Sequence, residues 1–202
     1  MIKNIIFDVG MVLVDWCWRD AMEGFGFDEE TIEILADATV RSTAWNHLDQ
    51  GDLSDEEILA GFIENAPDQE EKIRMIWDNL DKMIRCYPYS HDWIRSWKEK
   101  GYKCYILSNY GKRTYDQSKE ELTFEHLMDG VLFSYTVKQI KPNPDIYHTL
   151  MNKFGLKAEE CIFLDDNAGN IEAARKLGIH AIQFVGKEQA EEEMEKVIAA
   201  EK

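Results

Sequence analysis

Four short segments, spread over most of the chain, carry the residues best suited to phosphate chemistry. They are Asp8 after Ile5-Ile6-Phe7, Ser108-Asn109 after Tyr105-Ile106-Leu107, Lys141 in Lys141-Pro142-Asn143-Pro144, and Asp165-Asp166 after Ile162-Phe163-Leu164. A carboxylate that closes a buried strand is costly unless it is paired, hydrogen-bonded or bound to metal. It can also serve as a nucleophile that takes up a phosphoryl group as an acyl phosphate. Two adjacent acids repel each other, and a Mg2+ ion with oxygen ligands relieves that repulsion. A serine hydroxyl and neighbouring backbone N–H groups can hold phosphate oxygens, and a lysine ammonium can neutralise both the phosphate and its attacker. Taken singly, each signal has a plainer reading. Asp8 could cap a turn, one aspartate of the pair could cap the next helix, Ser108-Asn109 could be an ordinary turn, and Lys141 could be a solvated lysine with Lys138 as its rival.

These residues act together only if the fold gathers them. Three end strand-like runs, and the carboxyl ends of the strands in an open α/β sheet line one crevice where ligands bind. A buried strand is expected through Asp8, followed by a turn at Gly10. After Tyr87-Pro88, strands at about residues 103–107, 130–135, 161–164 and 180–185 alternate with helices, which means a parallel sheet with right-handed crossovers. Asn143-Pro144 is a strong helix start, and Gly101, Gly155 and Gly178 are helix stops. Residues 15–86 read as helical. Ser54-Asp55-Glu56-Glu57 forms a capping box, and Ile73, Ile76, Trp77, Leu80, Met83 and Ile84 form one apolar stripe. The expected fold is therefore α/β: a doubly wound, Rossmann-like parallel-sheet core from residues 1–14 and 87–202, with a helical insert at 15–86.

Composition narrows the partners. The 202 residues are 45% hydrophobic, enough for a real core, and 23 Lys and Arg against 39 Asp and Glu leave a net charge of −16. That field repels nucleic acid and anionic membranes, so an anionic substrate needs a local positive site. The four cysteines show no C-x-x-C pair, and Cys104 and Cys161 open apolar runs, which suits reduced thiols and a cytoplasmic location. No signal peptide or membrane span is evident. A monomer is favoured.

In this order and context the four segments resemble the motifs of the haloacid dehalogenase-like hydrolase superfamily, from Ile5 to about Val185. The resemblance implies Asp8 as nucleophile, Ser108 with Asn109 as the phosphate-binding segment, and Lys141 as the stabilising lysine. It implies Mg2+ held by Asp8, the main-chain carbonyl of Gly10, Asp166 and the adjacent Asp165, with Asn170 ending the motif and the helical insert acting as a cap. Most phosphatases of the superfamily carry a general acid two residues after the nucleophile, where this chain has Gly10. A sugar-phosphatase branch, including α-glucose-1-phosphate phosphatases, shares the Asp-x-Gly start and an aspartate at the position of Asp15, which makes Asp15 a possible acid. The expected reaction is Mg2+-dependent hydrolysis of a small phosphomonoester, a sugar phosphate above all, with a glycosyl 1-phosphate favoured over its 6-phosphate isomer. The rivals are a 2-haloacid dehalogenase using Asp8, and a phosphate-binding regulator without turnover.

Overall fold

A computed structural model describes residues 1–200. The chain opens with β1 (Asn4–Phe7) and a tight turn, then β2 (Val14–Trp16). Helices α1 (Trp18–Gly24), α2 (Glu29–Ala38), α3 (Thr43–Gln50), α4 (Asp55–Asn65) and α5 (Glu70–Asp78) follow, and β3 (Ile84–Cys86) leads back. The remainder alternates: α6 (Ser90–Glu99), β4 (Lys103–Ser108), α7 (Lys112–Ser118), β5 (Gly130–Phe133), α8 (Pro144–Phe154), β6 (Cys161–Asp165), α9 (Ala168–Lys176), β7 (His180–Gln183) and α10 (Lys187–Ala200).

The five long-range strands pair in the order β5-β4-β1-β6-β7, all parallel. Parallel strands are buried on both faces, so they read as unbroken apolar runs. Both β1 and β6 are buried at every residue. Alternation then splits each strand between two layers. Ile5 and Phe7 face Trp93 and Trp97 of α6 and Met194 of α10, whereas Ile6 and Phe163 face Ile146, Tyr147 and Leu150 of α8 and Ile171 of α9. Phe7 meets Trp93 edge-on at 5.2 Å between ring centroids. The result is a three-layer, doubly wound α/β core. From β1, at its centre, the chain winds to β4 and β5 on one side and later to β6 and β7 on the other, so the topology reverses beside β1.

Helices α1–α5 build a separate apolar cluster that includes Met22, Leu35, Phe62, Ile73 and Trp77. The Ser54 capping box is present, with Ser54 N–H donating to Glu57 at 2.8 Å and Glu57 N–H donating to Ser54 Oγ at 3.3 Å. Two details differ from the sequence reading. The apolar stripe from Ile73 is not one helix: α5 ends at Asp78, residues 80–83 form a 3-10 turn, and Ile84 starts a strand. The segment is also not helical throughout, because β2 and β3 pair antiparallel at its two ends. Three-residue strands are too short for an alternation signal. All four cysteines are free thiols. Among the described residues no helix is long and apolar enough to cross a membrane.

Replacing Ser54 by Ala removes the cap of α4. A loss of about 1 kcal/mol is expected, as for other N-cap deletions, and urea denaturation of the purified protein measures it.

Candidate active site

The sheet register gathers the motif residues. Phe7 lies level with Ile106 of β4 and Leu164 of β6. Asp8 extends the ladder one step, its N–H donating to Leu164 O at 2.9 Å, and this brings it beside Ser108 and Asp165 at the carboxyl ends of the flanking strands. All three side chains are buried. Oxygens of Asp8, Asp165 and Asp166 lie within 4.8 Å of one another.

Lys141 is the cation of this cluster. Its Nζ is 3.0 Å from Asp8 Oδ1 and 2.6 Å from Asp165 Oδ2, and it donates to Leu107 O at 3.1 Å. Lys138, the rival for this role, is exposed. The turn that delivers Lys141 is pinned from β4. Asn109 accepts from the Lys141 N–H at 2.8 Å and donates to the Lys141 carbonyl at 3.0 Å. The side chain of Asn109 therefore positions the lysine, and Asn109 also lines the cavity. Downstream, Asn143 caps α8 and Pro144 opens it.

The two acids after β6 have different surroundings. Asp165 is enclosed, accepting from Asn170 Nδ2 at 3.0 Å on both oxygens and from Asn167 N–H at 2.8 Å. Asp166 is exposed and lines the cavity above the strand ends. Burial pushes the Asp8 carboxyl up to about 7, with Lys141 opposing the rise and Asp165 adding to it. Burial works against the Lys141 ammonium, but Asp8 and Asp165 outweigh it and hold its pKa above the usual lysine value. Burial, then the charge of Asp165, raises the Asp166 carboxyl.

The cavity measures about 290 Å³. Its floor is Asp8, Gly10, Ser108 and Asp166; its far wall comes from the helical segment through Trp16, Trp45 and Asp49. Asp15 does not line it. Successive residues of a strand face opposite ways: Val14 and Trp16 of β2 reach the cavity, and Asp15 interacts with Tyr87 instead. Trp16 both lines the cavity and packs on Trp45, 5.3 Å away. Two polar side chains of the helical segment, His47 and Arg41, lie outside, on the surface. His47 pairs with Asp52, and Arg41 pairs with Glu33 and Asp37.

Sequence reasoning missed Asp49 and Thr114. Asp49 is an acid in the last turn of α3, against the helix dipole. An acid that breaks this local preference was the available signal. Thr114, on α7, lines the cavity with a buried hydroxyl that has no partner within the protein.

The open α/β sheet, the acids at its strand ends and the buried lysine define a hydrolase site. The model of the haloacid dehalogenase-like hydrolases matches residues 5–184, and the chain belongs to that family. The D-ribitol-5-phosphate phosphatase of Bacteroides thetaiotaomicron is 27% identical over 198 residues, covering 91% of this chain and 92% of the relative. A crystal structure of the Bacteroides thetaiotaomicron enzyme bt-2542, in complex with magnesium and inorganic phosphate, superposes with a TM-score of 0.72 at 22% identity, covering 93% of this chain and 96% of that one. The L-2-haloacid dehalogenase of Xanthobacter autotrophicus superposes at 0.66 with 18% identity, covering 93% and 80%. At such identities the two superpositions show a shared fold. The chain spans less than half the length of three further curated relatives: 37%, 45% and 47%.

Replacing Lys141 by Met leaves two carboxylates facing each other with no cation between them. Breaking a buried pair this way costs about 3–5 kcal/mol. The carboxyl of Asp8 is then pushed further up, so the folded protein binds a proton that the unfolded chain releases, and stability falls as pH rises. Urea denaturation is expected to show a larger loss at about pH 8 than at about pH 5.

Proposed function

We propose that the protein is a Mg2+-dependent phosphatase of a small phosphomonoester, a sugar or polyol phosphate, working through an aspartyl phosphate on Asp8. The observation that carries this reading is the meeting of Asp8, Asp165 and Asp166 at the ends of adjacent strands with Lys141 from the loop before α8, beneath a cavity roofed in part by the helical segment. Residues 15–86 act as the cap that roofs it. A cavity of about 290 Å³ is at the small end of ligand sites, which fits a compact ester better than a nucleotide.

The donor set fits a hard divalent cation. Asp8 and Asp166 offer carboxylate oxygens towards the cavity, with Asp165 within reach and the Gly10 carbonyl as a further donor, all oxygen ligands of the kind Mg2+ takes. Charge gives a second reason. Asp8, Asp165 and Asp166 outnumber Lys141 around the cavity floor, so a phosphate dianion needs added positive charge to enter. When bound there, Mg2+ would supply that charge and neutralise phosphate oxygens in the transition state. The complex of bt-2542 with magnesium and phosphate is consistent with this.

The chain's own groups then have distinct tasks. Asp8 attacks phosphorus in line, its carboxylate held by Lys141 and Ser108. Lys141, Ser108 and backbone N–H groups at the strand ends neutralise the equatorial oxygens, where phosphoryl transfer gains most of its rate. Water then cleaves the aspartyl phosphate. The cap walls exclude bulk water during the reaction. A dehalogenase displacing halide with Asp8 would not call for Asp166, which reaches the cavity unpaired with Lys141.

Three measurements test this reading. Phosphate release from a panel of sugar, polyol and nucleotide phosphates should require Mg2+ and stop in EDTA; full activity in EDTA would argue for the dehalogenase. Asp8→Asn, nearly isosteric, should fold as the parent and lose turnover, and activity within about tenfold of the parent would rule out the covalent route. Asp166→Ala should weaken metal dependence more than Asp165→Ala weakens it. The Asp165 change should instead show mainly as lost stability, because that carboxylate is held by Lys141 and Asn170.

A further inference from the structure

In-line attack by Asp8 from the cavity floor sends the leaving oxygen to the opposite side of phosphorus, towards the cap. An alcohol leaving there needs a proton, and the loop of the nucleophile has none to give, since Gly10 carries no side chain. The end of α3 does face that side. Asp49 lines the cavity from the cap, and the Gly111 N–H donates to its carboxylate.

This end of α3 is seated on the core by tight local contacts. Ser134 Oγ donates to the Asp49 carbonyl and accepts from the Tyr110 N–H at 2.8 Å. A Cβ on Gly111 would come within 2.7 Å of Leu48 Cγ and 3.0 Å of the Leu48 carbonyl. Gly51, which ends α3 with φ +67°, would bring a Cβ to 3.0 Å from Tyr135. Only glycine at both places lets the helix end approach so closely. The wall around Asp49 is also polar: Thr114, on α7 just beyond Gly111, adds its buried, unpartnered hydroxyl.

We propose that Asp49 is the general acid of the reaction, replacing from the cap the acid that the chain lacks at Gly10. As the Asp8 oxygen bonds to phosphorus and the ester P–O bond breaks, the Asp49 carboxyl gives its proton to the departing oxygen, releasing a neutral alcohol. The Asp49 carboxylate then takes a proton from the water that attacks the aspartyl phosphate, which releases inorganic phosphate and restores both aspartates. Burial, with the nearby charge of Asp8, pushes the Asp49 carboxyl up to about 7 against the opposing effect of Lys141, so the proton is available near neutral pH. The C-terminal end of a helix favours the neutral carboxyl in the same sense. With an acid in place, the enzyme has no need to be restricted to good leaving groups such as glycosyl 1-phosphates.

The proposal rests on the phosphatase reading, and the test separates the two. The parent and Asp49→Asn are compared on a polyol phosphate and on 2,4-dinitrophenyl phosphate, whose leaving group departs without a proton. Asp49→Asn should slow the polyol ester by about 10²–10⁴-fold and the dinitrophenyl ester far less. Gly10→Asp added to Asp49→Asn should recover part of the lost rate on the polyol ester, because a Cβ at Gly10 meets no atom within 4 Å. Equal slowing of both esters, or an unchanged rate on the polyol ester, overturns the role of Asp49. A parent that releases phosphate from neither ester overturns the phosphatase reading, and this proposal with it.

Discussion

The ammonium of Lys141 sits between the carboxylates of Asp8 and Asp165, with all three side chains buried. An isolated charge at that depth would cost several kcal/mol, and removing either sign leaves the other stranded. The surrounding structure is arranged to keep this trio satisfied. Asn170 and Asn167 take up the remaining valences of Asp165, Leu107 offers its carbonyl to the lysine, and Asn109 fixes the turn that delivers it. The requirement links β1, β4, β6 and the loop before α8, so the chemistry and the packing of the sheet end are one problem.

The helical segment meets the sheet core under a different constraint. Its apolar cluster is its own, but the end of α3 approaches the loops after β4 and β5 more closely than side chains at Gly111 or Gly51 would allow. Two glycines and one serine hydrogen bond thus set the distance between Asp49 on the roof and Asp8 on the floor. The cavity between them is small and has an aromatic wall in Trp16 and Trp45. The size of the cavity and the position of Asp49 in its wall are set by the same contacts.

How much of the site was legible in the sequence depends on how local its causes are. Asp8, Ser108 and Asp165-Asp166 stood out because each ends an apolar run, and a buried parallel strand leaves few places for a polar residue other than its end. Lys141 was marked by the rigid Pro142-Asn143-Pro144 start of α8. The work of Asn109 and Asn170 was not legible as such, since their partners are 32 and 5 residues away and only the fold sets which polar atoms meet. The β2–β3 pair joins segments too short to carry a pattern, so a strand end was read as helix.

The sequence by itself determined the layered sheet, the order of its elements and the strand ends that hold the acids, because hydrophobic periodicity and helix caps are local signals backed by burial. Tertiary structure alone decided which acid of the segment from 15 to 86 faces the cavity. Asp15 was the nearer choice along the chain, but strand alternation turns it away. Asp49, 41 residues beyond Asp8 on a helix with its own core, is carried over the site by the docking of α3 on Gly111 and Tyr135. Close approach between distant segments depends on backbone geometry and side-chain volume, and neither leaves a periodic trace in sequence.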